Sequence, residues 1–442
     1  MDACADGDQY ICRTDPKAVK MYVFENSSIV SASAPFSLKK IAIPAYGPTL
    51  LFGIVEGAIY PVIALSARNL GASIAEAGLI VALTGIGSLL NNIPASLLTA
   101  RFGERLSMTG AALFTIIALM LCVSASSPLM LGIGIFMIGM AQAVFLLARQ
   151  TYLTDAVPIS MRARALSTLG GVMRIGLFIG PFISAALMQV MGLDGAYWLA
   201  AIAAAASGAL AFTLPDLESR RNMQNAPGRS GPKAANPAPV AEDATAAPPP
   251  RRASIASVLR EHSRSFLTLG TGCLLVAALR ACRQLVIPLW AAYIMLDAAT
   301  ISIVYGAMGA IDMLLFYPAG KIMDKYGRQW VAFPSMIIMG ISLLLMPMAQ
   351  TLWTFALVTM LLGLGNGIGS GLIMTVGADC SPANARPQFL GLWRLMTDIG
   401  ACGGPLAVSA IAGAASLATG ITTIGAAGFV AAAIFWKWLP RR

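Results

Sequence analysis

Long apolar runs separated by short polar loops recur along this chain, and no water-soluble fold can absorb them. They fall at roughly 41–66, 74–98, 107–125, 128–150, 166–191 and 194–215, and again at roughly 266–292, 300–322, 331–349, 352–376, 389–413 and 416–438. A helix that crosses a bilayer needs about 20 mainly apolar residues, and each run is near that length. In hydrocarbon every backbone polar group must be bonded within the protein, so only helices or closed barrels can span. Continuous apolar runs, rather than short alternating ones, select helices. Composition agrees: the 442 residues are 57% hydrophobic and only 11% charged, against about 25% charged in soluble domains. The expectation is an all-α membrane protein of about twelve transmembrane helices, numbered here as spans 1 to 12 in chain order.

The basic residues orient these spans. The net charge is +10, but the cations sit in short clusters between apolar runs, so a nucleic-acid partner is not expected. Lys39 and Lys40 precede span 1, Arg101 and Arg105 follow span 2, and Arg162 and Arg164 follow span 4. Lys321, Lys325 and Arg328 follow span 8, Arg386 follows span 10, and Lys437, Arg441 and Arg442 close the chain. The alternate loops are almost bare, with Arg68 the main exception. Positive loops stay cytoplasmic, which predicts an inner (plasma) membrane protein with both termini inside and an even number of spans. Residues 216–258 are rich in Pro, Ala and charge, with no apolar period, and read as a disordered cytoplasmic linker. The expected organisation is a cytoplasmic segment 1–40, a six-helix half 41–215, the linker, and a six-helix half 259–442. No cleavable leader is visible, so span 1 would act as the targeting signal, and Met21 is a second candidate start. The seven cysteines form no C-x-x-C and read as small buried hydrophobes, with no disulfide framework and no metal site. The single histidine, His262, stands in a basic stretch and is not expected to relay protons.

The two halves repeat. A shift of 224 residues superimposes Pro94 on Pro318, Gly103 on Gly327 and Gly139 on Gly363. It also superimposes Asp155, Pro158 and Arg162 on Asp379, Pro382 and Arg386, and Gly176, Gly180 and Pro181 on Gly400, Gly404 and Pro405. In span 7 a shift of 227 aligns Pro61 with Pro288 and would set Glu56 against Arg283. Such parallel repeats, related by an axis along the membrane normal, are a plan of some secondary transporters.

After span 8 the chain reads Gly320-Lys-Ile-Met-Asp324-Lys325-Tyr-Gly327-Arg328. This resembles the signature loop G-x-x-x-D-[RK]-x-G-[RK] of the major facilitator superfamily, and the likeness covers essentially 41–438. It implies two pseudo-symmetric six-helix bundles and a cytoplasmic latch. In that family the Asp faces a helix N-terminus of the other half, a contact worth about 1–2 kcal/mol. The first-half copy has Ala100 in place of the Asp, so the latch would be one-sided, or Glu104 would substitute. Asp155 with Arg162, and Asp379 with Arg386, are the other expected gate elements. Gly176, Gly180 and Pro181 resemble the core of the family's antiporter motif, with its closing glycines replaced by Ser184 and Ala185. That motif, with its counterpart Gly404 and Pro405, implies close helix packing and a bend used in rocking. The early part of span 4 lacks the arginine usual in proton-coupled drug exporters, and Arg149 comes only near its end.

Ionisable residues at bilayer depth are functional candidates by default. They are Glu56, Arg174, Arg280, Arg283, Asp312, Arg394 and Asp398, with Asn91, Asn92, Gln142, Gln284, Tyr305 and Asn366 as polar companions. The repeat suggests Glu56–Arg174 and Asp398–Arg283 as symmetric ion pairs, which would serve either transport or helix packing. A carboxylate among Asp398, Glu56 and Asp312, taken in that order, is expected to carry a coupled proton. The resemblance implies an alternating-access secondary transporter of a small organic solute, with proton-coupled efflux the first reading. Uptake of an organic anion with protons is the alternative, favoured by a surplus of arginine. No nucleotide loop or catalytic constellation is present, so neither an enzyme nor a cofactor is expected. The expected partners are substrate, proton and membrane lipid, with the chain acting as a monomer.

Overall fold

A computed structural model describes residues 38–157, 159–214, 255–382 and 385–439. The first 37 residues, most of the expected linker and the last three residues lie outside that set, as do Pro158 and the side chain of Arg162. The chain divides into two compact units, Met1–Ile43 and Pro44–Arg442. Of the first, only the start of the helix Leu38–Ile59 is described; the membrane spans lie in the second.

Among the described residues eleven helices are long and apolar enough to cross a membrane. One of them, Ile74–Val123, runs 50 residues and is two spans, because Gly103 breaks it with φ 76° and ψ 167°. Its repeat partner Gly327 turns the chain between spans 8 and 9 with φ 98° and ψ 165°. Both conformations lie where a side chain is strained, which is why each turn uses glycine. The chain is thus an all-α membrane protein of about twelve spans. They are Tyr46–Asn69, the two arms of Ile74–Val123, Pro128–Ala156, Ala165–Met191 and Asp194–Phe212. Ser263–Tyr293, Ala298–Tyr326, Gln329–Met348, Leu352–Cys380, Gln388–Ala414 and Leu417–Trp438 complete the set.

Helix starts follow local chemistry. Ser73 and Glu76 form a reciprocal capping box at span 2. Ser127, Asp297, Thr351 and Ser416 cap spans 4, 8, 10 and 12. Arg68, the exception to the bare loops, donates to the Ala72 carbonyl at 2.7 Å and closes the turn before span 2.

Two helices break inside the membrane. Span 1 bends at residues 60–62, between the helices Leu38–Ile59 and Ile63–Asn69. Span 10 stops at Ile368, turns through Gly369, Ser370 and Gly371 (φ 80°), and resumes as Leu372–Cys380.

Glycine lets spans 1 and 5, and spans 7 and 11, touch backbone to backbone. A Cβ on Gly176 would strike the Leu50 carbonyl, and one on Gly400 would strike that of Leu274. A Cβ on Gly180 would lie 2.7 Å from the Ile54 oxygen, and one on Gly404 would lie 2.6 Å from the Ala278 oxygen. These equivalent contacts fix the register at 224, in span 7 as elsewhere. Glu56 therefore corresponds to Arg280, and the 227 alignment with Arg283 is corrected. Pro288 sits one turn out of step with Pro61 and misleads.

The same register relates the seams between the halves. At spans 2 and 11, Gly85 faces the Cys402 sulfur, with a Cβ contact of 2.9 Å; at spans 8 and 5, Gly309 faces Phe178 at 3.7 Å. Gly78 packs on Ser409, and Gly306 on the Phe182 ring. All these contacts lie on the sparsely charged side of the bundle. Toward the basic side, Gly170, Gly171, Gly320 and Gly391 meet nothing within 4 Å among the described residues. The packed seam glycines thus lie toward the sparsely charged side, and these four uncrowded ones toward the basic side.

Candidate functional site

Spans 1 and 4 build the first cluster. Glu56 is 5% exposed, and its carboxylate accepts from Gln142 Nε2 at 2.6 Å. Gln142 also donates to the Tyr60 hydroxyl at 3.3 Å. Tyr60 lies one helical turn past Glu56, and Arg149 lies two turns past Gln142, so each shares its neighbour's face. Arg149 is within electrostatic reach of Glu56 but makes no ion pair within 4 Å among the described residues. Its Nη1 meets the Met173 sulfur at 3.4 Å, and its buried Nε has no partner.

Spans 5, 7, 8 and 10 build the second. Arg174 pairs with Asp312 at 2.9 Å across the seam between the halves and lies 4.7 Å from the Phe316 ring. Arg280 donates to the Gly369 carbonyl at 2.5 Å, inside the break of span 10. Arg283 donates to the Arg280 carbonyl at 3.2 Å, and its Nη1 reaches the Met308 sulfur at 4.0 Å. Buried Tyr305 joins the clusters, within electrostatic reach of Arg283, Asp312 and Glu56.

The symmetric ion pairs expected from the repeat are not formed. Arg174 takes Asp312 rather than Glu56. Asp398 takes Asn92 at 3.3 Å and Arg394 at 3.9 Å rather than Arg283. The Asn92–Asp398 contact holds spans 2 and 11 at the position equivalent to Phe316–Arg174. Asn91 donates to the Met140 carbonyl at 2.8 Å and is spent on packing. Asn366, the counterpart of Gln142, is buried with its Oδ1 unpartnered.

At the basic side Asp324 is exposed and makes no ion pair among the described residues. Lys325 rests 5.1 Å from the Tyr326 ring. Arg328 reaches Asp379 at 2.8 Å within the same half. Arg386 is exposed. Asp155 has a contact of its own, while the Arg162 side chain lies outside the described residues. His262 packs edge-on to Phe389 at 5.6 Å. Cys122, Cys273, Cys282 and Cys402 are buried and free.

This arrangement comprises two glycine-packed repeats around buried Glu56 and a group of half-buried charges. A family model described as Major Facilitator Superfamily matches residues 49–281 and 269–442. The chain belongs to the Major Facilitator Superfamily. It is a membrane transporter and not an enzyme. Multidrug resistance protein MdtG of Escherichia coli (strain K12 / DH10B) is 26% identical over 166 residues, 37% of this chain and 41% of the relative. The match thus spans less than half of that relative. Two solved structures share the fold. A D-xylose-proton symporter gives a TM-score of 0.67 at 14% identity, covering 91% of this chain and 98% of that one. An inward-facing, unoccupied bacterial homolog of the human lysosomal transporter Spinster gives 0.68 at 13%, covering 90% and 96%.

Sequence reasoning missed Tyr60, Arg149 as a member of the cluster, and the break in span 10. The seven-residue spacing of Gln142 and Arg149 was the available signal for the second. The third was hidden among the many glycines of 363–371.

Proposed function

We propose that this transporter exports a small organic solute in exchange for protons, with Glu56 as the proton-binding group. The observation that carries the reading is the setting of Glu56: buried at the centre of the bundle, hydrogen-bonded by a neutral amide and a phenol, with no ion pair among the described residues. Such a carboxylate can change charge at bilayer depth without breaking a salt bridge. The resemblance to MdtG, named for multidrug resistance, supports export. The basic side is read as cytoplasmic, in the inner membrane, with both termini inside and a linker joining two six-helix halves. Gly320, Asp324, Lys325, Gly327 and Arg328 are read as the cytoplasmic gate, and Gly176, Gly180 and Pro181 as the bend.

Uptake of a solute with protons is the second reading, favoured by the excess of guanidinium over carboxylate groups in the cluster. Sealed vesicles with an imposed pH gradient separate the two. A labelled compound moving against the proton flow is export, and one moving with it is uptake. Glu56→Gln should abolish gradient-driven movement while sparing exchange of labelled for unlabelled compound. Gradient-driven transport by Glu56→Gln at the wild-type rate would sink the assignment of Glu56.

A further inference from the structure

We propose that the centre of the C-terminal half binds an oxyanion of the substrate, a carboxylate or a phosphonate, on Arg283 backed by Arg280. The inference rests on the transport reading above, but on neither the direction of transport nor proton coupling.

The two guanidinium groups stand one turn apart on span 7, tied by the bond from Arg283 to the Arg280 carbonyl at 3.2 Å. The described ion pairs are Arg174–Asp312, Arg328–Asp379 and Arg394–Asp398. Neither Arg280 nor Arg283 therefore has a carboxylate within 4 Å among the described residues. Asp312, the nearest acid to Arg280, is committed to Arg174. Two like charges at bilayer depth without a counter-ion are costly. A ligand that brings the negative charge removes the cost.

The backbone beside them is built for the same sign. After the break, the half-helix Leu372–Cys380 starts with N–H groups that lack intrahelical acceptors. Its positive dipole end adds to the two arginines. Ser370 is 3% exposed, and Ser370 Oγ and Arg280 Nε, both able to donate to an oxyanion, are buried without partners. Arg280 already uses one nitrogen on Gly369, so Arg283 is the freer anchor.

The repeat provides an internal comparison. In the N-terminal half the position equivalent to Arg280 is Glu56, whose carboxylate is satisfied by Gln142. In the C-terminal half Asn366 stands where Gln142 stands, and among the described residues no carboxylate lies within 4 Å of Arg280 or Arg283. The missing carboxylate is the one the substrate brings.

The test uses the full-length transporter purified in detergent micelles, with tryptophan fluorescence reporting thermal unfolding and binding. The probes are benzoate, phenylphosphonate, benzamide and benzylamine. The two anions should raise the melting temperature, and the neutral and cationic compounds should not. Arg283→Gln should weaken anion binding by about tenfold or more. Arg283→Lys should keep the preference for anions, and Arg101→Gln, at an exposed turn, should match wild type. Equal binding of benzamide and benzoate, unchanged anion binding by Arg283→Gln, or no anion-selective binding overturns the proposal. If Arg283→Gln is not monodisperse, wild-type protein decides: benzoate should shield Arg283 from phenylglyoxal in peptide mass spectra, and no shielding refutes the site. Binding is measured in micelles without a pH gradient, so failure of proton coupling and failure of this site are read separately.

Discussion

Asp312→Asn should tip the transporter away from the conformation described here. Asp312 and Arg174 join spans 8 and 5 across the seam between the halves at 2.9 Å, with side chains 18% and 25% exposed. The substitution keeps the shape and an acceptor oxygen but removes the charge, leaving Arg174 a neutral hydrogen bond and the Phe316 ring at 4.7 Å. Two unit charges about 4 Å apart are worth roughly 4 kcal/mol at an effective dielectric of about 20. Partial exposure reduces that to about 1–3 kcal/mol, a shift of about 5–150-fold between the two openings. Spin labels at Ala100 and Gly391, on the exposed basic side of spans 2 and 11, measure one opening. Labels at Asn69 and Ala415 measure the other, both in a chain whose seven native cysteines are replaced. The first distance should shorten and the second lengthen in Asp312→Asn. The reasoning fails if neither distribution moves. It fails equally if the same shift appears when Arg174 is already glutamine, because the pair would then carry no coupling energy.

Gly176→Leu would drive a side chain into the Leu50 carbonyl, and it should lower thermal stability by about 1–3 kcal/mol or prevent folding, read by fluorescence-detected size exclusion. Asp297→Ala removes the cap on span 8, where Asp297 accepts from the Thr300 N–H at 2.9 Å and hydroxyl at 2.6 Å; the cost should be about 1 kcal/mol. The Thr300 hydroxyl, with its backbone N–H, holds the Asp297 carboxyl below its ordinary value. That contribution is therefore complete above about pH 4 and disappears as pH falls through the lowered value, so melting curves of variant and wild type should converge in acid. Arg328→Gln breaks a pair whose acid is 53% exposed and should change stability by less than about 1 kcal/mol, detectable only as a small shift in melting temperature.

The spans were legible because hydrocarbon imposes length and apolarity on each segment separately, a demand written in local sequence. The loops that hold Gly103 and Gly327 were legible for the same reason, since the apolar runs stop on either side of each. The charge partners were not legible. A repeat identifies equivalent positions, and equivalence is not adjacency: Arg174 and Asp398 occupy the same place in two halves, yet each has a partner across the seam in the other half rather than the one expected within its own. Register in span 7 was misjudged for a related reason. A proline can slide by a turn and still bend a helix, whereas the backbone contacts of Gly400 and Gly404 with Leu274 and Ala278 tolerate no slide.

Once the register is 224, the duplicated frame shows which features are free to diverge. Gly139, Gly176 and Gly180 are retained as Gly363, Gly400 and Gly404, because a methyl group at those positions would meet backbone of the neighbouring helix. Two charged positions are retained with the sign inverted: Glu56 stands opposite Arg280 in the repeat, and Arg174 opposite Asp398. Two halves that face one cavity would repel across it if equivalent positions carried like charges, so inversion lets both keep a charge near the centre. In the proposed reading the inversion also divides the work. One half presents a carboxylate to a proton and the other presents guanidinium to an anion, so a change of charge at Glu56 alters the field in which the anion is held. The two sites then need no shared residue to influence each other, only the short, poorly screened path through Tyr60 and Tyr305.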